Sequence, residues 1–120
     1  MTDLDQIKYL DSGMAEAINA KDGGAVRNFY TDDGAIMPPG APMMEGLDAI
    51  QDYWQAAMDA GLSGVSIVGD SIDIDGDTAL TVGTLSGEMG GQPLSGKYIV
   101  SSRRTKDGWR IHRDIWNFDA

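Results

Sequence analysis

Apolar residues recur at three- and four-residue steps through the first part of the chain. Leu4, Ile7, Leu10, Met14, Ala17 and Ile18 fall on one stripe, which predicts a helix from about Asp3 to Ala20. Asp3 and Gln6 have capping-box spacing at its start, and Asp22-Gly23-Gly24 follows its end. A short second helix is expected with Val26, Phe29 and Tyr30 inward, closed by the turn-formers of Tyr30-Thr31-Asp32-Asp33-Gly34. Ala35-Ile36-Met37 reads as a short extended piece. In Pro38-Pro39-Gly40-Ala41-Pro42 three of five residues lack an amide proton, so neither helix nor central strand fits. Leu47, Ile50, Tyr53, Trp54, Ala57 and Met58 return to helical spacing, with Gly61 as the stop.

From Leu62 onward the period becomes two. Strand-like segments run Val65–Val68, Ser71–Asp75, Thr78–Leu85, Leu94–Arg104 and Trp109–Asn117. Their turns are Asp75-Gly76-Asp77, Gly87 through Gly91, and Lys106-Asp107-Gly108. Helices first and a tightly connected meander afterwards predict one α+β domain over residues 1–120. In it, three N-terminal helices pack on a curved, mostly antiparallel β-sheet.

Charge narrows the range of partners. Asp and Glu (19) outnumber Lys and Arg (9), giving a formal net charge of −10. A field of that sign repels phosphate backbones and anionic lipid, so the expected partners include no nucleic acid and no membrane. The acidic start Met1-Thr2-Asp3 is unlike a secretory leader, which leaves the cytoplasm as the expected compartment. The chain has no cysteine and one histidine, which excludes disulfides, thiolate chemistry and any multi-histidine metal site. No metal and no cofactor are expected.

Several motifs resemble the SnoaL-like branch of the NTF2-like superfamily, which includes ketosteroid isomerases and polyketide cyclases. They are Lys21-Asp22-Gly23, Phe29 through Ala35, Met37-Pro38-Pro39-Gly40, Glu45 through Ile50, and Gly108-Trp109-Arg110-Ile111 leading to Asp114-Ile115-Trp116-Asn117. The resemblance spans nearly the whole chain. It implies a cone-shaped α+β fold, a homodimer, and a pocket for a small apolar molecule. This fold hosts enzymes and pure binding modules alike. Ketosteroid isomerases use a tyrosine on the first helix and an aspartate base after the second. Gapless matching puts Met14 and Pro38 at those positions, which argues against steroid isomerisation by that machinery.

The last strand carries the most chemistry. Strict alternation would put Arg110, His112, Asp114, Trp116 and Phe118 on one face, and Trp109, Ile111, Arg113, Ile115 and Asn117 on the other. Alternation leaves open which face is inside; the resemblance implies the first. His112 and Asp114 would then lie about 7 Å apart along the strand, at ~3.3 Å per residue. Asp114, desolvated in an apolar cone, becomes a candidate general base, with His112 as relay or support. A hydrogen-bonded structural pair has the same sequence signature. Tyr30 and Tyr98 are candidate hydroxyl donors to an oxyanion. Trp116, Tyr53, Trp54, Met14 and Met37 are candidate substrate-contacting residues, and core packing accounts for the same pattern. Met43-Met44 is expected at the cavity lip.

Other motifs carry less. Arg103 and Arg104 read as a solvated pair at a strand end, or as a carboxylate binder. Asp70 through Asp77 lacks the glutamate of a calcium loop, and Gly87 through Gly91 lacks phosphate-loop order. The favoured expectation is a cofactor-free acid–base enzyme of isomerase, cyclase or lyase type acting on a small apolar oxygenated compound. The alternative is a non-catalytic ligand-binding or association module. A third reading, epoxide hydrolysis, needs Asp114 near Arg110.

Overall fold

The computed structural model describes residues 1–119. Helix α1 (Asp3–Asn19) is followed by a single helical turn, α2 (Gly23–Val26), and a 3-10 turn at Arg27–Phe29. Strand β1 (Tyr30–Met37), the two-residue β2 (Met44–Glu45) and helix α3 (Leu47–Asp59) come next. Four long strands complete the chain: β3 (Leu62–Asp75), β4 (Thr78–Met89), β5 (Gln92–Thr105) and β6 (Gly108–Phe118). They form one six-stranded, curved open sheet in the order β2-β1-β6-β5-β4-β3, with the helices on its inner face. The α+β expectation is met. Every pairing is antiparallel except β1 with β6, which is parallel. No helix among the described residues is long and apolar enough to cross a membrane.

The α1 stripe seals the inner face: Ile7, Leu10, Met14, Ala17 and Ile18 are all buried, whereas Leu4 stays exposed. The cap differs from expectation by one residue. Thr2 is the N-cap, its hydroxyl accepting from the Asp5 amide at 3.1 Å while the Asp5 carboxylate accepts from the Thr2 amide at 3.2 Å. Asp3 is thereby free to take the Arg104 guanidinium in two bonds of 2.6 and 2.8 Å and the Trp109 indole N–H at 3.1 Å. That clamp pins the start of α1 to β5 and β6, and the Arg104 bonds hold the Asp3 pKa down to about 2. Arg104, although exposed, is therefore an ion-paired residue that ties α1 to the sheet.

Two local expectations fail for identifiable reasons. Tyr30 through Gly34 is strand, because parallel pairing with β6 recruits this segment despite its turn-forming residues; the register shifts between Tyr30 and Ala35. The two predicted strands around Gly69 are one long strand, β3, irregular between Gly69 and Ser71.

The larger surprise is in β6. Ser101 pairs with Arg113 and Ser102 pairs with Ile111, so His112 is an extra residue, a β-bulge. One inserted residue reverses the alternation beyond it. Trp109 and Ile111 therefore lie in the core together with Asp114 and Trp116. The single-face set of Arg110, His112, Asp114, Trp116 and Phe118 does not exist.

Candidate active site

A cavity of about 200 Å³ lies between the helices and the inner face of the sheet. Met14 and Ile18 of α1, Tyr53 and Trp54 of α3, and Leu62 and Val65 of β3 form part of its wall. Tyr98 and Val100 of β5 and Ile111, Asp114 and Trp116 of β6 line it from the sheet side. Trp54 and Trp116 are stacked, with ring centroids 5.1 Å apart, and Tyr53 meets both edge-on. The result is a flat aromatic wall.

Asp114 is fixed by its neighbours. It sits opposite Ile36 of β1 and Val100 of β5, and it is 6% exposed. The Tyr30 hydroxyl donates to its Oδ2 at 2.7 Å, and the Trp54 indole N–H donates to the Tyr30 oxygen at 3.3 Å. This chain of bonds orients the carboxyl toward the cavity wall it shares with Trp116. Burial pushes the Asp114 pKa up to about 7, with Tyr30 opposing and the Asp11 charge adding to the rise. At neutral pH such a group is poised to take or return a proton.

A second carboxyl lines the same cavity. Asp11 of α1 is 8% exposed, and desolvation raises its pKa to about 6. It stands near Tyr98, whose own pKa is raised by burial and by that carboxylate. Their geometry falls short of a hydrogen bond, and the buried Tyr98 hydroxyl is without a partner among the described residues. Glycines admit this pair. A Cβ at Gly69 would come within 3.0 Å of the Asp11 Oδ2, and one at Gly83 would meet the Tyr98 hydroxyl at 2.5 Å and the Val68 carbonyl.

Sequence reasoning missed Asp11, although a signal was present. It lies four residues after Ile7 and three before Met14, so a charged residue interrupts the buried stripe.

The remaining candidates divide. Met14, Tyr53, Trp54, Tyr98 and Trp116 all line the cavity, and Tyr30 supports Asp114 from behind. Met37 does not line it: it pairs with Ile115 and follows that residue onto the outer face. Met43 and Met44 are likewise absent from the wall. His112, as the bulge residue, points away from the cavity. Its Nδ1 lies 3.1 Å from the Thr31 hydroxyl, 3.2 Å from the Arg113 guanidinium and 3.4 Å from the Asp33 carboxylate. Burial and then the Arg113 charge lower its pKa, which favours the neutral ring. Arg110 turns its guanidinium to the Trp109 carbonyl and lines a separate surface depression, not the Asp114 cavity. Among the described residues no group of three or more His, Asp or Glu side chains is arranged to hold a metal ion.

The SnoaL-like domain family matches residues 1–114 of this chain. The chain belongs to the SnoaL-like family. No curated protein matches it. Among solved structures, this SnoaL-like chain is similar to a ketosteroid isomerase-like protein from Erwinia carotovora atroseptica. That match has a TM-score of 0.83 at 20% identity and covers 98% of this chain and 96% of the other. An NTF-2 like protein of unknown function from Shewanella oneidensis gives 0.81 at 18%, covering 96% and 98%. A domain of unknown function with a cystatin-like fold from Nostoc punctiforme gives 0.84 at 17%, covering 98% and 78%. At these identities the likeness establishes the cone fold of the SnoaL-like chain and leaves its chemistry to its own residues.

Proposed function

We propose that this SnoaL-like protein binds a small, largely apolar, oxygen-bearing molecule in the cavity and converts it by acid–base chemistry of isomerase, cyclase or lyase type. The observation that supports this most is Asp114: a buried carboxyl oriented by Tyr30 on the wall of an apolar cavity, its pKa pushed up to about 7 by burial. The ionised Asp114 takes a proton from a carbon beside the substrate carbonyl. The resulting carboxylic acid returns that proton at a second carbon or to a leaving oxygen.

Tyr30 and Tyr98 divide the remaining work. Tyr30 has committed its only proton to Asp114 and accepts from Trp54, so it acts as a positioning residue. Tyr98 keeps its hydroxyl free. It stands diagonally across the ladder from Asp114, about 7–8 Å away between Cα atoms, and is the donor available to a developing enolate oxygen. His112 does not line the cavity and has no part in this reading.

The test needs no knowledge of the natural substrate. Exchange of the α-hydrogens of cyclohexanone in D₂O, followed by NMR, reads proton abstraction directly. The wild-type rate is expected to rise with pH through about 7, because the base must be ionised. Asp114→Asn is expected to lose about 10²–10⁴-fold with its circular dichroism unchanged. A wild-type rate equal to that of Asp114→Asn would leave only the ligand-binding module.

The outer face of the sheet supports a homodimer. Val82, Ile99 and Ile115 stand directly opposite one another across β4, β5 and β6, and each is exposed. Such a row favours being covered. Trp109 and Ile111 take no part in that surface, since both are in the core.

A further inference from the structure

The cavity is electrostatically one-sided. Asp11 and Asp114 both line it, and no Lys, Arg or His does among the described residues. The whole chain adds a field of the same sign, −10. An anionic ligand would enter against two carboxyl groups with no cation to receive it. Asp114 has Tyr30 as donor, whereas no side chain donates a well-formed hydrogen bond to Asp11. Beside it Tyr98, a buried residue of the cavity wall, has a hydroxyl without a partner among the described residues. A carboxyl beside a hydroxyl that lacks a well-formed partner, in an apolar wall, marks where a ligand's polar end belongs.

We propose that this ligand carries a protonated amine, seated between the Asp11 carboxylate and the Tyr98 oxygen, with its apolar body against the stacked Trp54 and Trp116. An ammonium donates to both groups at once and neutralises the buried charge. A neutral hydroxyl leaves that charge uncompensated, and a carboxylate doubles it. Aromatic faces beside the site add to the attraction for a cation. The inference rests on the proposed use of the cavity as a ligand site, and it adds a basic nitrogen to the substrate class. Asp11 then anchors while Asp114 does the proton chemistry.

A matched series tests it: benzylamine, benzyl alcohol and benzoate, each titrated into the full chain at pH 8 and followed by tryptophan fluorescence. Benzylamine is expected to bind about tenfold or more tightly than benzyl alcohol, with no saturable binding of benzoate. Because a net charge of −10 attracts any cation loosely, the deciding arm is Asp11→Asn. It removes one negative charge among many, yet is expected to abolish the preference for the amine while leaving benzyl alcohol binding within about twofold. Tyr98→Phe, which keeps the aromatic body, is expected to weaken benzylamine binding more than benzyl alcohol binding. Equal affinity for amine and alcohol, or a preference that survives in Asp11→Asn, overturns the inference and leaves the cavity as a neutral-ligand site. Failure of all three probes to bind overturns the proposed ligand site itself.

Discussion

The two faces of one sheet each carry exceptions to the usual pattern. Thr81, Tyr98, Ser102 and Asp114 point inward and are buried, while Val68, Leu80, Val82, Ile99 and Ile115 point outward and are exposed. Inward carboxyl and hydroxyl groups are costly unless something uses them, and outward aliphatics are costly unless something covers them. Within an otherwise apolar inner face a few polar residues are buried, and on the outer face a row of aliphatic ones is exposed. Polar groups sit where α1 and α3 roof a cavity, and apolar groups sit where nothing of the chain lies above them.

The largest perturbation of that arrangement is deletion of His112. Without the bulge residue, β6 must put either Trp109 and Ile111 or Asp114 and Trp116 on the outer face. Exposing a core tryptophan and its neighbour should cost about 4 kcal/mol or more, measured by urea unfolding. A deletion variant of wild-type stability would mean that the bulge does not set the two faces.

That bulge also explains how far the sequence could be read. Helical stripes predicted α1 and α3 to within a residue or two, because the apolar repeat carries through Gly13 between Ile7 and Ile18 and runs without glycine or proline from Ile50 to Met58. Paired Asp-Gly signals located the hairpins after Asp75 and Lys106. The site was harder. Alternation presumes a regular strand, and nothing in Ile111-His112-Arg113 announces an extra residue, since bulges arise from pairing and not from local preference. Regular alternation therefore carries His112 to the cavity face, where the bulge does not leave it. Asp114, Trp116, Tyr98, Tyr53, Trp54 and Met14 line the cavity, and their order within each element suffices to bring them there. Asp11 went unread although it sits in the stripe.

A smaller effect is expected from Tyr30→Phe, which acts on the inner face alone. It removes the donor to Asp114 and leaves the Trp54 indole N–H without its acceptor, for a stability loss of about 1–3 kcal/mol. Since the Tyr30 bond lowers the Asp114 pKa, its loss should move the midpoint of the pH–rate curve upward from about 7. An unmoved or lowered midpoint would separate Tyr30 from the ionisation of Asp114.

On the outer face, Ile99→Lys should change unfolding stability by less than about 1 kcal/mol in the monomer. Its effect should appear in sedimentation instead, as a shift from a species of twice 12.8 kDa toward one of 12.8 kDa. A wild-type chain that sediments as a monomer at every concentration would remove the homodimer.

The most direct measurement is a carbon NMR titration of the Asp114 carboxyl, assigned by the resonance that vanishes in Asp114→Asn. A midpoint near 7 is the predicted result, because burial among Trp54, Trp116 and Ile36 disfavours the charge more than Tyr30 restores it. A midpoint near the ordinary 3.8 would mean that water reaches the group, and the acid–base reading of this cavity would be contradicted.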